Sequence, residues 1–301
     1  MTHSSTTEKK NGQSLWADAW QRLKKNKMAM ACLALVILFS ILALAGEIIY
    51  GYYQITDTTP FYQKTHLDLA YQSPSIHHLM GTDGLGRDVL ARLIMGVRIA
   101  FKVGIITSLI AIPIGLFFGC IAGYFGGRID DFVVWLYSTF ASMPGLLFIL
   151  AIAMVVGKGL LGIYLGIGLT TWVGLCRLVR GEVIKHKEQT YVQAARALGL
   201  SSGRIIFRHI LPNIMHIVIV TFTLRFPAAV GTEVFMSFLG IGVQDQPSWG
   251  LMINSARMRL WQGMWWEMTF VTLAVFLLVL AFNLLGDALR DALDPRLNNS
   301  Q

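Results

Sequence analysis

Charged side chains are scarce in this sequence. They make up 14% of its 301 residues, against 54% hydrophobic, and the mean hydropathy is +0.57. So little charge does not suit an ordinary water-soluble domain, and the composition points to an integral membrane protein. Cysteine is nearly absent. Cys32, Cys120 and Cys176 lie in or beside apolar segments with no pairing in their spacing, which leaves no disulfide or zinc framework. No Gly-x-x-x-x-Gly-Lys-Ser/Thr phosphate loop occurs, so the chain does not cradle ATP in the usual way. His-Glu-x-x-His, Cys-x-x-Cys and nucleophile-elbow patterns are missing as well. The seven histidines are scattered, and the adjacent pair His77-His78 reads as solvated loop rather than metal ligand. The net charge of +8 does not imply nucleic acid, because the basic residues flank apolar spans. No cleavable leader is expected: the first apolar run is too long for one and carries no small-residue cleavage site.

Six apolar stretches predict an all-α membrane protein of about six transmembrane helices. The first covers Met28 to about Tyr50; roughly twenty residues at about 1.5 Å each cross about 30 Å of hydrocarbon. The others run over about 99–125, 132–156, 160–176, 213–237 and 267–286. Met143-Pro144 should kink or break the third. In the tail, Leu15, Trp16, Ala19, Trp20 and Leu23 share one helical face ahead of Lys24, Lys25 and Lys27. An interfacial helix on the membrane lipid and a merely amphipathic tail both fit. Val89, Leu90, Leu93, Ile94 and Val97 form another such face, with Arg87, Asp88, Arg92 and Arg98 opposite; this predicts an interfacial helix leading into the second span. The chain therefore divides into a cytosolic tail at 1–27, a first span with an outer segment and interfacial helix at 28–98, a core at 99–290, and a tail at 291–301.

Lysine and arginine set the orientation. Thirteen fall in 1–27 and 177–213 together, against four in 51–88 and 241–266. Both termini and the 177–213 stretch are thus expected in the cytosol. Gly115, Gly119, Gly123 and Gly127 recur every fourth residue in the second span, which predicts close helix packing. Arg225 and Glu233, eight residues apart in the fifth span, and Asn283 in the sixth are candidates for a translocation path, or for polar contacts between helices.

Between the fourth and fifth spans lies a polar, basic, helical stretch, Tyr191 to Asn213. Thr190-x-x-Gln193 predicts a capping box at its start. Tyr191, Val192, Ala195 and Leu198 predict one shared face. Gly199 falls where the short helix should end. Ser201 then caps a second helix carrying Arg204 and Arg208 outward, and Pro212 fits the first turn of the next span.

The run Gln193-Ala194-Ala195, Gly199, Ile210-Leu211-Pro212 resembles the EAA loop of ATP-binding-cassette importer permeases. Two positions depart from the pattern: Gln193 stands for the family's leading Glu, and His209 for an apolar residue before Leu-Pro. GTDGLGRDVL at 81–90, SFLGIG at 237–242 and GDALRDALDPRL at 286–297 resemble the C-type subunit of oligopeptide/dipeptide permeases, so the likeness runs over nearly the whole chain. It implies a type I importer permease fold, a bacterial inner-membrane location and import of oligopeptides or dipeptides. It implies a cytosolic coupling helix in which Gln193, Ala194, Ala195, Gly199, Arg204, His209, Leu211 and Pro212 contact the ATPase. It also implies partners: a second, different permease, two cytosolic ATPase subunits that bind the ATP and magnesium, and a periplasmic or lipid-anchored solute-binding protein. The chain itself then needs no cofactor and catalyses no reaction. Relatives that move nickel or other small solutes share the motifs, so that cargo stays open. A stand-alone secondary transporter or channel would instead call for inverted repeats and clustered midplane acids, and the sequence has neither.

Overall fold

The structure, a computed structural model, describes residues 15–293, and the side chains from Trp20 onward. The tail before Leu15, the side chains of Leu15, Trp16 and Ala19, and the tail after Leu293 lie outside the described residues. Those described contain helices and one isolated bridge, Thr82 to Asp88, with no β-strand.

The helices are α1 (Leu15–Lys25), α2 (Lys27–Thr56), α3 (Val89–Phe125), α4 (Gly127–Ala141), α5 (Gly145–Val156), α6 (Leu160–Thr170), α7 (Val173–Lys187), α8 (Thr190–Ala197), α9 (Ser202–Ile205), α10 (Leu211–Phe238), α11 (Trp249–Arg257) and α12 (Trp266–Leu293). Five helical stretches are long and apolar enough to cross a membrane, and a sixth if α4 and α5 count as one broken span. The break at Met143-Pro144 is sharp: α4 and α5 meet at 88°.

α3 is the central element, and its residues show why. Asp88 caps its first turn by accepting from the Ala91 N–H at 2.9 Å. Gly115, Gly119 and Gly123 then bring its backbone against α7. A methyl added at each would lie 2.8–3.0 Å from the carbonyl oxygens of Trp172, Cys176 and Arg180 in turn, so each glycine matches one turn of α7. Gly127 does not belong to this stripe. It sits past the end of α3 at φ +54°, where an added β-carbon would meet nothing within 4 Å, and serves the tight turn into α4.

The expected interfacial helix at 81–98 is absent as a separate element. Residues 81–88 form a loop, and the helix from Val89 runs unbroken into the span. Arg92 and Arg98, expected on a solvated face, are buried. The loop before α3 folds over Arg92, which lies 3.5 Å from Asp83, while α2 covers Arg98, which pairs with Glu47 at 3.3 Å. The loop itself is pinned to α12 by the Trp266 indole N–H, which donates to the Thr82 carbonyl at 3.1 Å.

The fifth span also starts earlier than expected. A π turn over Ile206–Ile210 joins α9 to α10, so the chain is helical from Ser202 to Phe238. The Leu211 N–H reaches back to Ile206, and this widened turn gives room for Pro212 inside a continuous helix.

Candidate functional site

The stretch from α7 to the start of α10 is built as a rigid knuckle on the end of the bundle. Val192 and Ala195 of α8 pack inward on Ile205, Ile206 and Ile210, and on Val179 and Val183 of α7. Gly199 takes φ +74°. Its N–H donates to the Arg196 carbonyl at 3.0 Å, and the Leu200 N–H to the Ala195 carbonyl at 3.2 Å. Two such bonds around a left-handed residue form a Schellman motif, which fixes the angle at which the chain leaves α8.

The start of α8 differs from the sequence expectation. Gln189 rather than Thr190 is the capping position, and no side chain caps it. The Gln193 amide donates instead to the Glu188 carbonyl at 3.1 Å. One residue's shift takes Thr190 into the helix, so the capping box does not form. Ser201 precedes α9 but makes no side-chain cap either.

The expected shared face also splits. Ala195 is 4% exposed and belongs to the chain's own core, whereas Leu198 is 82% exposed. Gln193 and Ala194 are exposed with it, and so is Phe207, 72% bare on the π turn. Arg204 and Pro212 face outward, His209 and Leu211 are half-buried, and the His209 carbonyl accepts from the Asn213 amide at 2.6 Å. Phe207 was not legible in advance: an aromatic in a basic helical stretch carries no signal of its direction. Tyr191, half tucked against the end of α7, hydrogen-bonds His186 at 2.8 Å, and burial pushes its phenol above the usual range.

The three path candidates part company. Arg225 reaches from α10 to the junction of α6 and α7, where it donates to the Thr171 carbonyl and hydroxyl. It thereby satisfies groups left by a helix break. Glu233 is 1% exposed; it accepts from the Ser237 hydroxyl at 2.7 Å and is also bonded by Ser248, at the head of α11. Both are interhelical ties within this chain. Asn283 alone is exposed. No group of three His, Cys, Asp or Glu side chains suited to a metal occurs among the described residues; His78 is bonded to Asp88 at 2.9 Å.

The family description "Binding-protein-dependent transport system inner membrane component" matches residues 115–299, more than half of the chain. This chain belongs to that family. A second description, the N-terminal transmembrane domain of oligopeptide transport permease C, matches residues 14–74. The Bacillus subtilis dipeptide transport system permease protein DppC is 40% identical over 96% of this chain and 88% of its own length. The oligopeptide transport system permease protein OppC of the same organism is 36% identical over 96% and 92%. The glutathione transport system permease protein GsiD of Pectobacterium atrosepticum is 34% identical over 96% and 94%. Among solved structures, a chain of the inward-facing MetNI methionine ABC transporter superposes with a TM-score of 0.53 at 17% identity, over 68% of this chain and 96% of that one. At that identity the likeness speaks for the fold alone, an ABC importer permease. The protein is therefore a multi-pass permease subunit of a binding-protein-dependent transport system.

Proposed function

We propose that this chain forms half of the translocation path of an ATP-driven importer of dipeptides or oligopeptides in a bacterial inner membrane, with both termini cytosolic. The second half is a different permease. Two cytosolic ATPase subunits bind the ATP and magnesium, and an extracytoplasmic solute-binding protein delivers the cargo. The observation that carries this reading is the α8–α9 knuckle. Its underside is locked into the core while Ala194, Leu198 and Phe207 stand bare. A part that transmits force needs such a rigid base, and its bare apolar crown suits a socket on another subunit. The contact surface proposed here is Gln193, Ala194, Arg204 and Pro212 with Leu198 and Phe207 added; Gly199 shapes it, and Ala195, His209 and Leu211 support it from beneath. Peptide cargo is favoured over nickel or another small solute by the similarity to permeases named for dipeptides, oligopeptides and glutathione. A stand-alone transporter is disfavoured because Arg225 and Glu233 are engaged within the chain. The test is uptake by the full complex in proteoliposomes, with labelled di- and oligopeptides and nickel as competing cargoes. ATP-dependent accumulation of peptide is expected. Accumulation without ATP, or of nickel and no peptide, overturns the reading.

A further inference from the structure

Seven consecutive residues at the α4–α5 elbow, Ala141 to Leu147, are exposed. They contain the 88° bend. The elbow lies deep. The Phe140 ring sits 5.5 Å from the Trp172 ring and 5.3 Å from that of Phe148, so both arms of the bend meet at the level of Trp172. Trp172 stands at the α6–α7 junction, in the part of the helical stretch Leu160–Lys187 that precedes its first charged residue, Arg177. At about 1.5 Å per residue it is roughly 18 Å from Leu160 and roughly 8 Å from Arg177. That is inside the hydrocarbon, towards its inner side.

Backbone at this depth has a strict requirement. In hydrocarbon every N–H and C=O must find a partner, so broken helix cannot face lipid. At the inner arm the Ser142 and Met143 N–H groups fold back on Ser138, Thr139 and Phe140. At the outer arm Pro144 takes the capping position and offers no side-chain acceptor. The N–H groups of Gly145, Leu146 and Leu147 therefore open α5 with no acceptor inside the chain. The surface is neither covered by this chain nor compatible with lipid.

We infer that the Ser142–Leu147 elbow lines the water-filled path, where this subunit's backbone meets the hydrated cargo between the two permeases. It rests on the importer reading above, and it moves the path away from Arg225 and Glu233 to a stretch of main chain. Such a lining presents hydrogen-bonding groups that are the same whatever side chains the cargo carries.

The test is thiol accessibility in the assembled complex. Ser142→Cys and Leu147→Cys are placed singly in a parent whose three cysteines are replaced by alanine. Ile41→Cys, exposed midway along α2, supplies the reference site within an apolar span. A permanently charged methanethiosulfonate is the probe. At the elbow it should react about a hundredfold faster than at Ile41→Cys, because a charged group entering hydrocarbon is heavily penalised. Modification should also stop uptake. Two elbow positions guard against one variant failing to assemble. Reaction at both no faster than at Ile41→Cys overturns the proposal. Labelling is read whether or not the complex imports, so a complex that never accumulates peptide counts against the importer reading alone.

Discussion

The glycine stripe gives the sharpest quantitative test. In Gly119→Ala the added methyl falls 2.8 Å from the Cys176 carbonyl oxygen and 2.8 Å from Val179 Cβ. Both lie on or next to the backbone of α7, so no flexible side chain can swing aside. Overpacking of this kind costs about 1–3 kcal/mol. Alanine also stabilises a helix over glycine by about 1 kcal/mol. Gly181 isolates that second effect, since it lies within α7 with nothing within 4 Å of a built β-carbon and without a positive φ. Gly181→Ala should therefore be neutral to stabilising. The gap between the two variants is the packing cost alone, about 1–3 kcal/mol, or a factor of about 5 to 160 in the folded fraction. The assay is the fraction of detergent-solubilised, tagged permease that still elutes as a sharp peak after graded heating. Gly119→Ala and Gly123→Ala should both lose that peak at lower temperature than Gly181→Ala. Equal or greater resistance in the stripe variants would refute the close contact between α3 and α7.

Three further outcomes follow from the same geometry. Reporter fusions within 55–75 and within 185–200 should report opposite sides of the membrane; agreement between them would refute the proposed topology. Leu198→Asp leaves the core untouched and should reach the membrane but recover far less ATPase on purification, since losing a docking hot spot costs about 2 kcal/mol or more, roughly thirtyfold in affinity; Ala195→Asp should instead fail to accumulate, and the reverse pattern would mean that Ala195 is the docking residue. Glu233→Ala empties the carboxylate from between Ser237 and Ser248 and should lower heat resistance, by about 1–3 kcal/mol for the hydroxyl protons left without an acceptor, with Glu233→Gln milder; normal stability with altered cargo preference would return Glu233 to the path.

The linear sequence was enough for the membrane class, the all-helical multi-span fold, the break at Met143-Pro144, the turn at Gly199 and the family. Each rests on local chemistry or on a run of apolar residues. Hydropathy needs no partner to be read, proline breaks a helix wherever it lies, and a left-handed turn selects glycine on its own. What a side chain faces is a different matter. Arg92 and Arg98 read as solvent-facing because periodicity places them opposite an apolar stripe, yet a loop and α2 close over them. Ala195 and Leu198 share a helical face by spacing, but α9 and the π turn fold back over one and stop short of the other. Arg225 and Glu233 look like path residues because charge in a span needs a reason, and only the packed structure shows that Thr171, Ser237 and Ser248 supply it. Gly127 repeats the stripe's spacing one step beyond where α3 ends. Periodicity gives a residue's direction from its own helix axis; burial depends on which other element arrives on that side, and that is decided only when the helices pack.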